Sequence, residues 1–366
     1  MSTSRELPNQ VRRLRQERGW SQAELANRAG ISRTAISAIE GERLTPSVAA
    51  ALSLARCLNC RVEDLFGFAG PTPSEPTWAW PAAVDPSRFW EAEVRGRNWL
   101  YPSEPGQFGL AAHDGFIDRG QVRRHRLYTP QQTLVLASCD PAAAMLATEY
   151  ARTTAFRMLV VPRSSREALR LLADGLVHVA GVHLSKSTAR HGNADIVRAE
   201  LGTGYQLLHV ARWEEGIAIG RGHSAESVRE VVKSRGRWIG REAGSGARNC
   251  LDEVLAGKPT PRRQARDHHG VAEAIRCGWA DYGVCVRLVA EESRLKFLSV
   301  QQEAYDLVHR EVDSVDDRIR AMLLVLRSPR YRELLGELPG YDVSPLGEME
   351  SCGPASAVST QAAGVP

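Results

Sequence analysis

The sequence predicts a multidomain chain: an all-α helix-turn-helix N-terminal domain, a small β-containing connector and a two-lobed α/β domain. Three observations carry this. Residues 21–40 spell two capped helices around a glycine, residues 69–77 hold three prolines, and from Gln131 onward short apolar runs alternate with helical periods. The domains expected are 1–68, 69–130 and 131–345, followed by a tail, 346–366, rich in Ala, Ser, Gly and Pro and expected to be disordered.

In the head, Ser21 suits a helix N-cap and Glu24 can complete a capping box, with Leu25, Ala26 and Ala29 on the apolar side. Gly30 permits the positive backbone angle that ends this helix. Ile31 fills the corner and Ser32 caps again. Ile36 and Ile39 then turn inward at helical spacing, leaving Arg33, Thr34 and Ser37 outside, where side chains meet base edges in a major groove. A first helix begins around Val11, Leu14 and Arg15, and Ser47–Leu58 and Val62–Phe66 supply two more. The first 66 residues carry ten Arg and seven acidic residues, a net +3, which is adequate for phosphate contact without being diagnostic. Cys57 and Cys60 form a Cys-x-x-Cys with no second ligand pair nearby, so core packing is the better reading than zinc.

Composition narrows the class. Lys and Arg number 47 against 43 acidic residues, so no strong charge imbalance dictates a partner. Arg greatly outnumbers Lys throughout, which weakens the head's arginines as a signal. The N-terminus lacks a signal-peptide apolar core, and no apolar run reaches the roughly 18 residues of a membrane span. A cytoplasmic protein without membrane contact is expected, its seven cysteines reduced.

The connector holds Trp78, Trp80, Trp90, Trp99, Tyr101 and Phe108 between polar turns, which suggests short strands packed through aromatic residues. In the α/β part, strands are expected at 133–137, 156–161, 178–184, 206–211, 216–220, 237–240, 282–286, 297–300 and 304–309. Helices are expected at 141–152, 165–173, 224–234, 247–255, 270–277, 317–326 and 331–335. Two such series in tandem imply two lobes and a cleft.

Two turns at strand carboxyl ends are suited to an anion. Arg241-Glu-Ala-Gly-Ser-Gly-Ala-Arg248 opens a helix with glycines, Gly244 and Gly246, that let a ligand approach backbone amides, and Ser245, Arg241 and Arg248 add donors. Ser138-Cys-Asp-Pro-Ala142 offers a second, with Asp140 as N-cap and Pro141 opening the helix. Either is also an ordinary tight turn. His183 after an apolar strand is equally readable as a structural histidine. His268 and His269 with Asp267, Cys139 and Cys250 could form a metal or redox site, although adjacent histidines on a strand would face opposite ways. No phosphate-binding loop, Gly-x-Ser-x-Gly elbow or His-Glu-x-x-His is present, and a hydrolase of Ser245 and His183 would need a third group to hold the base; an enzyme is not expected.

Residues 7–67 resemble the lambda repressor-like (XRE) DNA-binding domain. The resemblance implies that Gln22 contacts phosphate, that Arg33, Thr34 and Ser37 read bases, and that Arg15 and Glu40 form a structural ion pair. Ser32, which caps the recognition helix, and Arg43, which follows it, join the DNA-binding set. Residues 131 to about 345 resemble the type II periplasmic binding protein fold in its cytosolic, molybdate-type sensor form. The resemblance is carried by Ala180–Leu184, Arg241–Arg248, Gly270–Val284 and Glu303–Leu307. It implies a ligand held by Ser138, His183, Arg241, Ser245, Arg248 and Tyr305. Ala247 stands where that family commonly has threonine.

The expected function is a one-component transcriptional regulator, a homodimer on double-stranded operator DNA that senses a small ligand or an oxyanion such as molybdate, with no cofactor or resident metal. The alternative is a metal- or redox-responsive regulator using the cysteines and histidines near the cleft.

Overall fold

A computed structural model describes residues 9–58, 60, 62–66, 77–103, 112–125, 128–189 and 191–353. The expected proline-rich linker lies outside them. Contacts divide the chain into two units, Met1–Pro76 and Thr77–Pro366.

The first unit is helical: α1 (Val11–Glu17), α2 (Gln22–Ala29), α3 (Arg33–Glu40), α4 (Val48–Cys57) and α5 (Val62–Phe66). Serine caps set three of the starts. Ser21, Ser32 and Ser47 each accept the backbone N–H three residues on, at 3.1, 3.1 and 3.3 Å. The expected capping box forms by half, because the Glu24 carboxylate turns outward to Arg28 at 2.9 Å. Gly30, at φ 67°, ends α2 in the left-handed region. Val11, Leu25, Ile36, Ile39, Leu54, Leu58 and Leu65 are wholly or almost wholly buried, so one apolar core holds all five helices.

The second unit opens with β1 (Thr77–Trp78), β2 (Ser87–Val94), β3 (Arg97–Pro102), β4 (Gly115–Asp118) and β5 (Gln121–Arg124), a sheet of order β1-β3-β2-β4-β5. This sheet does not stand apart as a connector. Ala92, Val94, Trp99 and Tyr101 share one apolar core with Val135, Leu169, Leu172 and Val177 of the α/β part. The Tyr101 hydroxyl donates to the Leu176 carbonyl at 2.6 Å. Arg157 reaches back to Asp114, the Glu91 carbonyl and the Thr133 hydroxyl.

The α/β part continues with β6 (Thr133–Ser138), α6 (Ala143–Thr153), β7 (Arg157–Pro162), α7 (Ser165–Ala173), β8 (Val179–Val182), α8 (Gly192–Leu201) and β9 (Tyr205–Ile219). Then come α9 (Val228–Lys233), β10 (Trp238–Arg241), α10 (Gly246–Leu255), β11 (Gln264–Ala265), α11 (His268–Arg276), β12 (Tyr282–Val286), α12 (Arg287–Glu292) and β13 (Lys296–Arg310). It ends with α13 (Asp317–Leu326), α14 (Pro329–Gly336), β14 (Tyr341–Asp342) and β15 (Met349–Ser351). The strands form one sheet of order β11-β10-β12-β9-β13-β8-β6-β7, with β14 and β15 also pairing β9.

β9 and β13 are each 15 residues long and antiparallel to one another, and they pass through both lobes. One lobe gathers β6, β7 and β8 on their first-lobe ends; the other gathers β10, β11 and β12. The sequence predicts two shorter strands in place of each long one, because Arg212-Trp-Glu-Glu215 and Gln301-Gln-Glu303 interrupt the apolar pattern. Backbone pairing continues through both interruptions, with register shifts between Ser299 and Gln301 and between Tyr305 and Asp306.

Part of the segment expected to be disordered is folded. β15 pairs residues 349–351 with Leu208, Leu207 and Gln206, and Cys352 is buried in the same core as Ala92 and Val308. Alternation too short to register in the sequence is enough to complete this edge. Residues 354–366 lie outside the described set.

Candidate functional site

In the helical unit, α3 presents Arg33 and Thr34 to solvent, with Ser37 half-buried one turn on and Ser32 and Arg43 exposed at either end. Its carboxyl end is anchored by the expected ion pair. Arg15 Nε and Nη2 donate to the two Glu40 oxygens at 2.6 and 3.0 Å, and Gln22 Nε2 donates to Glu40 at 2.9 Å. Burial works against the Glu40 charge, but the hydrogen bonds from Arg15 and Gln22 outweigh it and hold the carboxyl below its ordinary value. Gln22 is thereby fixed at the start of α2.

In the second unit a buried polar layer lies where the lobes meet the long strands. From the first lobe come Ser138 at the end of β6, Cys139 and Asp140 after it, and His183 after β8. From the second come Arg241 at the end of β10, Ser245 and Gly246 opening α10, and His268 opening α11. From β9 and β13 come Trp213, Glu215, Glu303 and Tyr305. All are buried; His183, Glu215, Arg241, Ser245 and His268 retain no exposed surface, while Cys139 keeps 9%.

The hydrogen bonds run through this layer as connected chains. Ser138 Oγ bonds the Tyr305 hydroxyl at 2.7 Å and accepts the Asp140 N–H at 3.0 Å. Asp140 accepts from the Tyr341 hydroxyl and the Ala142 amide, and burial nevertheless pushes its pKa up to about 6. Helix α6 starts at Ala143 instead of Pro141, since Asp140 first closes a turn onto Ala142. His183 Nε2 lies 3.0 Å from Cys139 Sγ, and its Nδ1 lies 2.7 Å from Glu303 Oε2. Burial disfavours a charged His183, but the neighbouring Cys139 and Glu215 reverse the balance and raise its pKa. Burial raises Glu303 to about 7, and burial together with the Glu303 charge lifts Glu215 well above the carboxylate range. The Trp213 ring stacks on Tyr305 with centroids 4.7 Å apart and meets His183 edge-on at 4.9 Å.

His268 is the first residue of α11, after an Asp267 N-cap, so the expected strand with alternating histidines is replaced by a helix start. The Asp267 side chain bonding the Gly270 amide explains the change. His268 Nδ1 accepts from Arg241 Nη1 at 3.2 Å and from the Val286 amide at 3.3 Å. Two donors at Nδ1 place the ring proton on Nε2, which is buried without a partner. Burial, then the Arg241 charge, holds the His268 pKa well below normal, so the ring is neutral.

The structure thus brings Ser138, Asp140, His183, Arg241, Ser245, Gly246 and Tyr305 into one layer. Gly246 abuts it so closely that a Cβ there would lie 2.1 Å from the His183 carbonyl. Ser245 is engaged as a cap, accepting the Arg248 amide at 3.2 Å and donating to the Glu242 carbonyl at 3.0 Å. Gly244 supplies the turn at φ 88° and faces the Arg166 side chain. Arg248 is held by Asp252, one helical turn along, and by Thr260, and it also donates Nη1 to the Arg241 carbonyl at 3.2 Å, so it braces the turn instead of pointing into the layer's centre. Trp213, Glu215 and Glu303 were not singled out as site residues; the polar breaks in two apolar strands were the signal for them.

Two groupings have metal-ligand proximity, Cys139–His183–His268 and His183–Glu215–Glu303, within 4.8 Å of one another in each. In the first grouping His183 Nδ1 is held by Glu303 and His268 Nδ1 by Arg241, which leaves Nε2 of each ring as the atom nearest Cys139. Among the described residues, no helix is long and apolar enough to cross a membrane.

The family comparisons divide along the same line as the two units. A helix-turn-helix family model matches residues 11–65 and a PBP superfamily domain model matches residues 147–327. An HTH-type transcriptional regulator of Archaeoglobus fulgidus is 39% identical over 62 residues, covering 17% of this chain and 89% of that protein. The chain belongs to the helix-turn-helix transcriptional regulators, in the form that joins an XRE-type head to a PBP-like domain. The Bacillus subtilis protein YvgK is 25% identical over 197 residues, covering 51% of this chain and 63% of its own length. Among solved structures, the tungstate ABC transporter protein of Geobacter sulfurreducens aligns with TM-score 0.45 and 13% identity over 57% of this chain and 99% of that one.

Proposed function

We propose that the chain is a cytoplasmic one-component regulator whose head binds operator DNA as a homodimer and whose PBP-like domain (residues 131–345) closes on a small oxyanion, of which molybdate is the first candidate. In the head (residues 1–68), Arg33, Thr34 and Ser37 read base edges while Gln22, Ser32 and Arg43 face the backbone. The single observation behind the ligand reading is His268 Nε2–H, a buried donor with no acceptor, held in register by the Arg241 guanidinium at the junction of the lobes. A buried donor left unmatched costs about 1–3 kcal/mol, and an anionic oxygen is the group that relieves it. Ser138, Asp140, His183, Ser245, Gly246 and Tyr305 complete the surround; Gly244 shapes its turn, and Arg248 joins only by leaving Asp252.

A ligand favouring closed lobes shifts the population of head arrangements in the dimer and so alters operator affinity. The test is a thermal melt of metal-free protein with molybdate, tungstate, sulfate or phosphate in excess, followed by operator footprinting with and without the anion that binds. Saturation at 100 times Kd adds about 2.7 kcal/mol and moves the midpoint by a few degrees. Absence of a shift with all four anions removes the oxyanion reading.

A further inference from the structure

Cys139, His183 and Glu303 stand in the order nucleophile, base and orienting carboxylate. The sulfur is 3.0 Å from His183 Nε2, and the opposite ring nitrogen is 2.7 Å from Glu303 Oε2. The sequence had paired His183 with Ser245 as a conceivable nucleophile and lacked a third group. The structure supplies that group and exchanges the nucleophile: Ser245 is spent as a helix cap, and the thiol takes its place. Glu303 is itself fixed, its other oxygen accepting Gln301 Nε2 at 2.8 Å. The His183 amide donates to Ser165 Oγ at 3.1 Å, which sets the ring from behind.

The other cysteines lack this company. Cys57 and Cys60 face backbone carbonyls, and Cys277 is exposed beside Glu273. Burial pushes the Cys285 thiol up to about 12 and Cys352 to about 11, and raises Cys250 as well. Only Cys139, among the described residues, has an imidazole nitrogen as its hydrogen-bond partner. It is also the least buried member of its triad, at 9% exposure against 0% and 2% for His183 and Glu303.

We propose that Cys139 is a hydroperoxide-reactive thiol, with His183 as its base and Glu303 as the positioning residue. As the sulfur attacks the terminal oxygen of a hydroperoxide, the thiol proton passes to His183 Nε2, an S–O bond forms and the O–O bond breaks. The departing alkoxide takes the proton from Nε2 and leaves as an alcohol. The sulfur is oxidised by two electrons to a sulfenic acid and the peroxide is reduced by two, so thiol and hydroperoxide give sulfenic acid and alcohol. Because the sulfur lies in the layer that closes between the lobes, the added oxygen must be accommodated against His183 and its neighbours. The site shares His183 with the proposed anion surround, but its chemistry requires no anion and is tested without one.

The test uses the reduced full-length chain, treated with a stoichiometric amount of hydrogen peroxide in the presence of a 1,3-dicarbonyl sulfenic-acid trap, with every cysteine quantified by peptide mass spectrometry. Cys139 is expected to be trapped at least tenfold faster than the exposed Cys277. Glu303→Gln is expected to slow Cys139 at least tenfold while Cys277 is unchanged and Cys250 and Cys285 remain unlabelled. Trapping that follows exposure, with Cys277 first, overturns the proposal. So does an unchanged Cys139 rate in Glu303→Gln, or a variant in which labelling of Cys250 and Cys285 rises along with the loss at Cys139, since that pattern belongs to a loosened fold.

Discussion

His178 Nδ1 accepts the backbone amide of Val135 at 2.9 Å while its Nε2 meets the Glu93 carbonyl at 3.0 Å, so one neutral imidazole joins β6 to the five-stranded sheet. Burial, reinforced by the Arg318 charge, holds its pKa down to about 3. Between that value and about 6.5 the unfolded chain binds a proton that the folded chain refuses, so this group's contribution is complete above the unfolded value and is lost as pH falls. The slope is about 1.4 kcal/mol per pH unit. His178→Gln should remove it, so the stability gap between wild type and variant narrows by about 2 kcal/mol from pH 6.5 to pH 5 in denaturant melts. Asp140 and Glu303, raised to about 6 and about 7, slope the opposite way, which is why the difference between the two proteins is the quantity to measure.

Arg33 is exposed on α3 and unneeded for the head's core. Arg33→Ala should weaken specific operator binding by about 1–3 kcal/mol, read by fluorescence anisotropy, with the melting temperature unchanged. Equal affinity for operator in the variant would remove Arg33 from base reading.

Arg157 and Asp114 form a buried ion pair, with side-chain exposures of 12% and 4%, and Arg157 also serves Thr133 and the Glu91 carbonyl. Asp114→Ala strands that guanidinium and should cost about 3–5 kcal/mol in denaturant melts. Replacing both with apolar residues of similar volume should recover much of the loss; if the double variant is no better than the single, the uncompensated charge is not the cause.

Gly246→Ala places a methyl group against the His183 carbonyl and Nδ1, both backbone and ring being held from other sides. Overpacking of this kind costs about 1–3 kcal/mol. Lowered stability with an intact far-ultraviolet circular dichroism spectrum is the expected result, and a neutral substitution would mean the lobes separate freely at that point.

Much of this was legible in the chain because each signal was local. Serine caps, Gly30 and the Ile36/Ile39 spacing specify the head within a few residues, and Arg15–Glu40 followed from resemblance. Strand–helix alternation gave the α/β elements, with α7, β12 and α13 matching residue for residue. What escaped was set by distance. Glu215 and Glu303 looked like breaks because their burial depends on lobes assembled from residues far away in sequence. Arg248 looked like a ligand donor, but Asp252, Thr260 and the Arg241 carbonyl share its guanidinium. The pairing of His183 with Cys139 and Glu303 joins positions 44 and 120 residues apart, a separation that no local pattern encodes.

Because β9 and β13 belong to both lobes and stay hydrogen-bonded along almost their whole length, the lobes share a leaf spring instead of a pin joint. Any displacement of one against the other is stored as curvature in two strands, concentrated at the register shifts beside Ser299 and Tyr305. The stiffness of that ribbon sets the restoring force on the buried layer, so substitutions at the Ser299 shift, which lies outside the layer, alter how readily the chain flexes while leaving the chemistry of the layer in place.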